Sequence, residues 1–147
     1  MYLGVDPGRQ KFGWAVTDAN GALLVSGIAP AGALELFAQG AAQNPSDLGQ
    51  WISEGKLPEP FNIRKTFCGN GTGHAAYVRA LLSWGLEVVL ADELNTTLEA
   101  RALYWKIHPP RGLWRLVPTT LRTPPRNVDD LAACCIVRRA LGTVNDN

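Results

Sequence analysis

Cysteine and histidine are scarce: three cysteines and two histidines in 147 residues. Cys68, Cys134 and Cys135 form neither a CxxC pair nor a Cys/His zinc spacing, so they read as buried thiols rather than a disulfide framework or a zinc site. His74 and His108 stand too far apart to change that, and any metal would have to be held by oxygen ligands. Long apolar runs are missing too. No segment approaches the roughly eighteen consecutive apolar residues of a membrane span, and no basic-then-apolar leader stands before the first strand. The expectation is a cytoplasmic protein without a membrane partner. A third absence is local: no acid occurs between Glu99 and Asp129, although the whole chain carries a net charge of only +1.

What is present fits one folded domain over 1–147, with 46% hydrophobic residues for a single core. Met1 to Asp6 reads as a strand. After Pro7-Gly8, the alternation of Phe12, Trp14 and Val16 against Gly13, Ala15 and Thr17 reads as a second. Asn20-Gly21 is a hairpin signal that returns the chain over Ala22 to Ile28, which completes a three-stranded antiparallel meander. Ala33 to Ala42 and Asp47 to Glu54 read as helices, Ile63 to Cys68 as a fourth strand, His74 to Trp84 as a helix and Glu87 to Ala91 as a fifth strand. Strand, helix, strand implies a parallel crossover. Helices over Leu98 to Ile107 and Val128 to Leu141 finish the chain. The expected fold class is α/β, a five-stranded mixed sheet of meander plus two parallel strands, flanked by helices.

Three acidic points fall at element ends: Asp6 after the first strand, Asp92-Glu93 after the fifth, and Asp129-Asp130 at the start of the last helix. Singly, each is accounted for as a turn or helix cap. Jointly they would meet at the carboxyl edge of the parallel strands, where open α/β sheets bind ligands. Carboxylates converging there repel unless protonated or neutralised by cations, and hard oxygen donors suit Mg2+ or Mn2+. Such a site supports metal-assisted phosphodiester hydrolysis, with water as the nucleophile.

The acid-free stretch carries Arg101, Lys106, Arg111, Arg115, Arg122 and Arg126, interleaved with Tyr104, Trp105 and Trp114. Guanidinium groups beside aromatic faces suit phosphates and unstacked bases, so this loop is a candidate nucleic-acid grip. Arg9 and Lys11, just past Asp6, are further candidates for holding a phosphate. Gly69-Asn70-Gly71-Thr72-Gly73-His74 follows a strand and precedes a helix, but it matches neither a Walker A loop nor GxGxxG and has no lysine in place. It reads as a sharp turn that glycine permits.

Three segments together resemble the motifs of the YqgF (RuvX) family of RNase H-like, RuvC-related nucleases. They are Asp6-Pro7-Gly8-Arg9-Gln10-Lys11-Phe12-Gly13-Trp14-Ala15-Val16, Asp92-Glu93-Leu94-Asn95-Thr96-Thr97-Leu98-Glu99-Ala100-Arg101 and Asn127-Val128-Asp129-Asp130-Leu131-Ala132-Ala133. The resemblance keeps motif order from first strand to last helix. It implies an RNase H-like fold and a Mg2+- or Mn2+-dependent nuclease that matures precursor 16S ribosomal RNA. By motif, the metal-binding and catalytic acids would be Asp6, Glu93 and Asp129, with Asp130 as a further ligand candidate. Leu94 stands where the family usually has arginine, and Cys68-Gly69-Asn70-Gly71 replaces its Gly-Leu-Pro-like turn.

The opening Asp-Pro-Gly is equally similar to RuvC-type Holliday-junction resolvases acting on structured DNA. Those enzymes place an acid at the end of the fourth strand, where this chain has Cys68-Gly69-Asn70. Two readings from other classes are an actin-like or sugar-kinase-like ATPase, for which the chain has length for one lobe only, and a noncatalytic nucleic-acid module of the same fold. Monomer and homodimer both stay open.

Overall fold

The computed structural model describes residues 1–118 and 121–142; the remainder of the domain expected over 1–147 lies outside these. Strands β1 (Tyr2–Asp6), β2 (Lys11–Thr17) and β3 (Leu23–Pro30) form the expected antiparallel meander. The Asn20-Gly21 turn is closed by Asp18, whose carboxylate accepts from the backbone N–H groups of Asn20 at 2.8 Å and Ala22 at 3.0 Å. Gly21 takes a φ of 86° that side chains disfavour.

The sheet has six strands rather than five. The segment Asp47 to Glu54, expected to be helical, divides instead. Pro45–Trp51 winds as a 3-10 turn and Ile52–Gly55 extends as β4, pairing antiparallel with β3. A four-residue edge strand has too short an alternation to declare itself, and its hydrogen bonds come from β3. Helix α1 (Leu34–Gln43) precedes this turn.

β5 (Lys65–Gly69) pairs parallel to β1, and β6 (Val88–Ala91) pairs parallel to β5, with α2 (His74–Ser83) between them. The strand order is β4-β3-β2-β1-β5-β6. Thus β1, β5 and β6 are the adjacent parallel strands that the sequence required for a shared carboxyl edge. α3 (Thr96–Ile107) and α4 (Asp129–Leu141) follow.

The two sheet faces are packed differently. On one, Phe12, Trp14, Val16, Leu3 and Val5 meet Phe37 of α1 and Tyr77 and Leu81 of α2. Phe12 sits edge-on to Phe37 at 5.0 Å and to Tyr77 at 5.3 Å, contacts worth about 0.5–1.5 kcal/mol each beyond area burial. On the other face, small residues let a helix come close. A Cβ on Gly4 would stand 2.2 Å from the Ala133 carbonyl oxygen, and one on Gly13 2.0 Å from that of Asp129. Ala15 joins the same surface, packed with Leu131, Ala132 and Ala133 of α4 and Ala100 and Leu103 of α3. Glycine and alanine on β1 and β2 therefore set how near α4 lies to the sheet. The three cysteines are buried free thiols, as expected.

Candidate functional site

Alternation along β1 puts Asp6 on the same face as Gly4, the face that α4 crosses. Its cross-strand partner is Gly13, over which the first turn of α4 lies. Asp6 and Asp129 are thereby brought together by the glycine that separates their elements. Glu93 comes two residues after β6 and folds back over the end of β5. Cβ atoms on Gly69 and Gly71 would fall 2.3 Å and 2.2 Å from its carboxylate oxygens. The glycine-rich turn after β5 thus does more than turn sharply: it leaves the volume that Glu93 fills.

The Asp6 carboxyl is pushed up to about 8. Burial contributes most, followed by the charges of Glu93 and Asp129 and a hydrogen bond with Glu93. Asp129 is also raised, by burial and by Asp130, against the lowering effects of Lys11 and of Asn127. Lys11 is therefore close enough to act on the third acid. Beneath the group, the Cys68 thiol is pushed up to about 12 by burial and by Glu93 and Asp6, which keeps it neutral.

Among the described residues, no three acidic, histidine or cysteine side chains close into a cage for a metal ion. Asp6 and Asp129, both raised, stand with Glu93 at one edge of the sheet. Their chemistry nevertheless fits a hard cation. Glu93 Oε2 is buried with no hydrogen-bond partner, and burial, followed by the neighbouring charges, raises the Asp6 carboxyl. A divalent ion would answer both conditions, by displacing the proton on Asp6 and by taking the unused lone pairs of Glu93.

Asp130, expected beside these acids as a metal ligand, has other partners. It is fully buried, accepts from Ser26 Oγ on β3 at 2.6 Å, and pairs with Arg126 at 2.8 Å. Arg126 also reaches Glu54 of β4 at 2.7 Å and lies 5.6 Å from the Tyr104 ring centroid. His108 closes the network on Glu54, also at 2.7 Å. Burial alone would raise Glu54, but Arg126 and His108 hold it below its ordinary value. Arg126, expected to grip a phosphate, is thus spent on tying the start of α4 to the sheet edge. Asp92, the other acid of its pair, is exposed and accepts from Leu94 N–H at 3.0 Å, a local turn cap.

The other basic candidates divide. Arg9 and Lys11 are exposed at the β1–β2 turn, beside Asp6. Tyr77 anchors that turn: its hydroxyl donates to Gly8 O at 2.5 Å and accepts from Gly8 N–H at 3.4 Å. Arg101 is half-buried on α3. Arg111 and Arg115 are exposed around the 3-10 turn Gly112–Leu116. Arg122 lies 5.8 Å from the Trp105 ring centroid and donates to Val117 O at 2.7 Å.

Sequence reasoning passed over Tyr77, Ser26 and Glu54. Each acts through partners at least 54 positions away, and no local pattern marks such a partner. For Gly69 and Gly71 a signal existed, two glycines at the same sheet edge as Glu93. No protein-family model matches the chain, and no curated protein matches it.

Proposed function

We propose that the chain is a divalent-metal-dependent nuclease of RNase H-like fold that hydrolyses phosphodiester bonds in RNA. The observation that carries this reading is the meeting of three acids from distant parts of the chain at one sheet edge, where half-buried Asp6 is raised by burial first and then by the charges of Glu93 and Asp129. Such mutual repulsion costs stability and is usually kept where chemistry uses it. The resemblance of the three acidic motifs to the YqgF family adds the substrate: precursor 16S ribosomal RNA, with DNA as a second possibility.

Asp6, Glu93 and Asp129 would hold Mg2+ or Mn2+, while Asp130 would stay with Arg126 and Ser26, to which it bonds. The ion would supply water activation and stabilisation of the leaving oxygen. Lys11, near Asp129, and Arg9 would orient the scissile phosphate. Tyr77 would keep the turn that carries them in place. Gly69 and Gly71 would let Glu93 reach the site from above β5.

The resolvase reading requires an acid at the end of the strand expected over Ile63 to Cys68, which is β5. Gly69 stands there, and the Glu93 carboxylate takes the space a side chain would need. This favours the RNA nuclease over the junction resolvase. A fluorescent RNA spanning an end of precursor 16S ribosomal RNA and a four-way DNA junction, each incubated with protein and Mn2+, test the choice. Chelator-sensitive cutting of the RNA is expected. Junction cutting alone would reassign the activity, and cutting of neither substrate with either ion would overturn the nuclease reading.

A further inference from the structure

The loop after α3 carries a feature narrower than its charge. The 3-10 turn Gly112–Leu116 lays Trp114 on Trp105, with ring centroids 6.3 Å apart and planes 28° from parallel. Trp105 is braced in turn by the edge of Tyr104, at 5.1 Å and 87°, and by the Arg122 guanidinium. Arg122 donates to Val117 O, and Val117 N–H donates to Trp114 O at 3.1 Å, so the cation and the turn hold each other. Trp114 is nonetheless 49% exposed.

We infer that Trp114 is a stacking platform for an unpaired nucleobase, so that this loop takes its nucleic acid as a single strand. The inference deepens the nuclease reading and rests on it for the class of ligand. An indole already stacked from behind loses little side-chain freedom on binding, and a flat ring accepts any base. Arg111 and Arg115 flank it, both exposed, in a stretch without a single acid from 100 to 128. That charge complements phosphate. It opposes a second copy of the chain, because two such loops face to face would set arginine against arginine. Leu113 and Leu116, each 81% exposed, would also suit a lipid surface. A braced, stacked pair of indole rings is the element that a base uses and a bilayer does not need.

The test is fluorescence anisotropy in chelator, which suppresses cutting, with a short labelled oligouridylate, the same length of RNA duplex and anionic vesicles. Wild type, Trp114→Ala and Trp114→Phe are compared, each with its melting temperature. Trp114→Ala should bind the single strand about fivefold to a hundredfold more weakly, and Trp114→Phe should keep most of the affinity. Equal affinity of wild type and Trp114→Ala overturns the platform. So does a preference for duplex, binding of vesicles in place of oligonucleotide, or a dimer mass that Trp114→Ala abolishes. Trp114-dependent binding by a protein that cuts nothing would sink the nuclease reading and leave the platform standing.

Discussion

Gly13 lies directly beneath Asp129: a Cβ added at Gly13 would stand 2.0 Å from the Asp129 carbonyl oxygen. The contact is backbone to backbone, so no side chain can swing away to relieve it. Gly13→Ala should push the first turn of α4 off the sheet, costing about 1–3 kcal/mol of stability and separating Asp129 from Asp6. Gly4→Ala makes a similar clash one turn further along, against Ala133. Chemical denaturation should find both variants destabilised, with Mn2+ affinity reduced more by Gly13→Ala.

The raised Asp6 carboxyl makes the metal-free protein sensitive to alkali. Between the ordinary value of 3.8 and about 8, the folded chain keeps a proton that the unfolded chain has released. Stability must therefore fall as pH rises through that window. Asp6→Asn removes the effect. In chelator, its melting temperature should exceed that of wild type near neutral pH and above and vary less with pH. Added Mn2+ should raise the wild-type melting temperature most at the alkaline end, where the proton it displaces is held least tightly. Identical pH profiles for the two proteins would contradict this account of Asp6.

Asp129 and Asp130 are neighbours with opposite expected phenotypes. Asp130→Ala leaves Arg126 and Ser26 without their shared acceptor in a fully buried place and should cost on the order of 3 kcal/mol. Asp129→Asn should fold with little loss and abolish Mn2+-dependent cutting. Thermal melting beside a cleavage assay separates them, and the reverse pattern would exchange their roles.

Gly69→Ala probes Glu93. The added methyl would meet the Glu93 carboxylate at 2.3 Å and Ile136 at 3.0 Å. The carboxylate is the end of a flexible side chain and can retreat, so the loss should be greater in cutting rate and metal affinity than in stability. Titration of Mn2+ into wild type and variant reads the difference.

How much of this was legible in the chain depended on how local each signal was. Asn20-Gly21 marked the hairpin because its turn needs one positive φ, which Gly21 supplies at 86°. The acids at the ends of β1 and β6 and at the start of α4 were visible because strand ends and helix starts are local events. β4 was missed because Ile52–Gly55 owes its extension to β3, which no pattern within four residues encodes. Arg126 looks like a phosphate contact in the sequence because Glu54, one of the two acids it pairs with, lies 72 positions away. Asp130, adjacent to Asp129, could be told from it only once Ser26 of β3 was placed beside it.

The central claim is that Asp6, Glu93 and Asp129 together hold the cation that drives phosphodiester hydrolysis. Its most direct test is single-turnover cleavage of a fluorescent RNA by wild type, Asp6→Asn and Glu93→Gln, with Mn2+ and with chelator, on proteins whose folding is verified by melting. The account predicts Mn2+-dependent cutting by wild type and a loss of about a hundredfold or more in each variant, typical of removing a group that stabilises the reacting charge. Undiminished cutting by Asp6→Asn would contradict it.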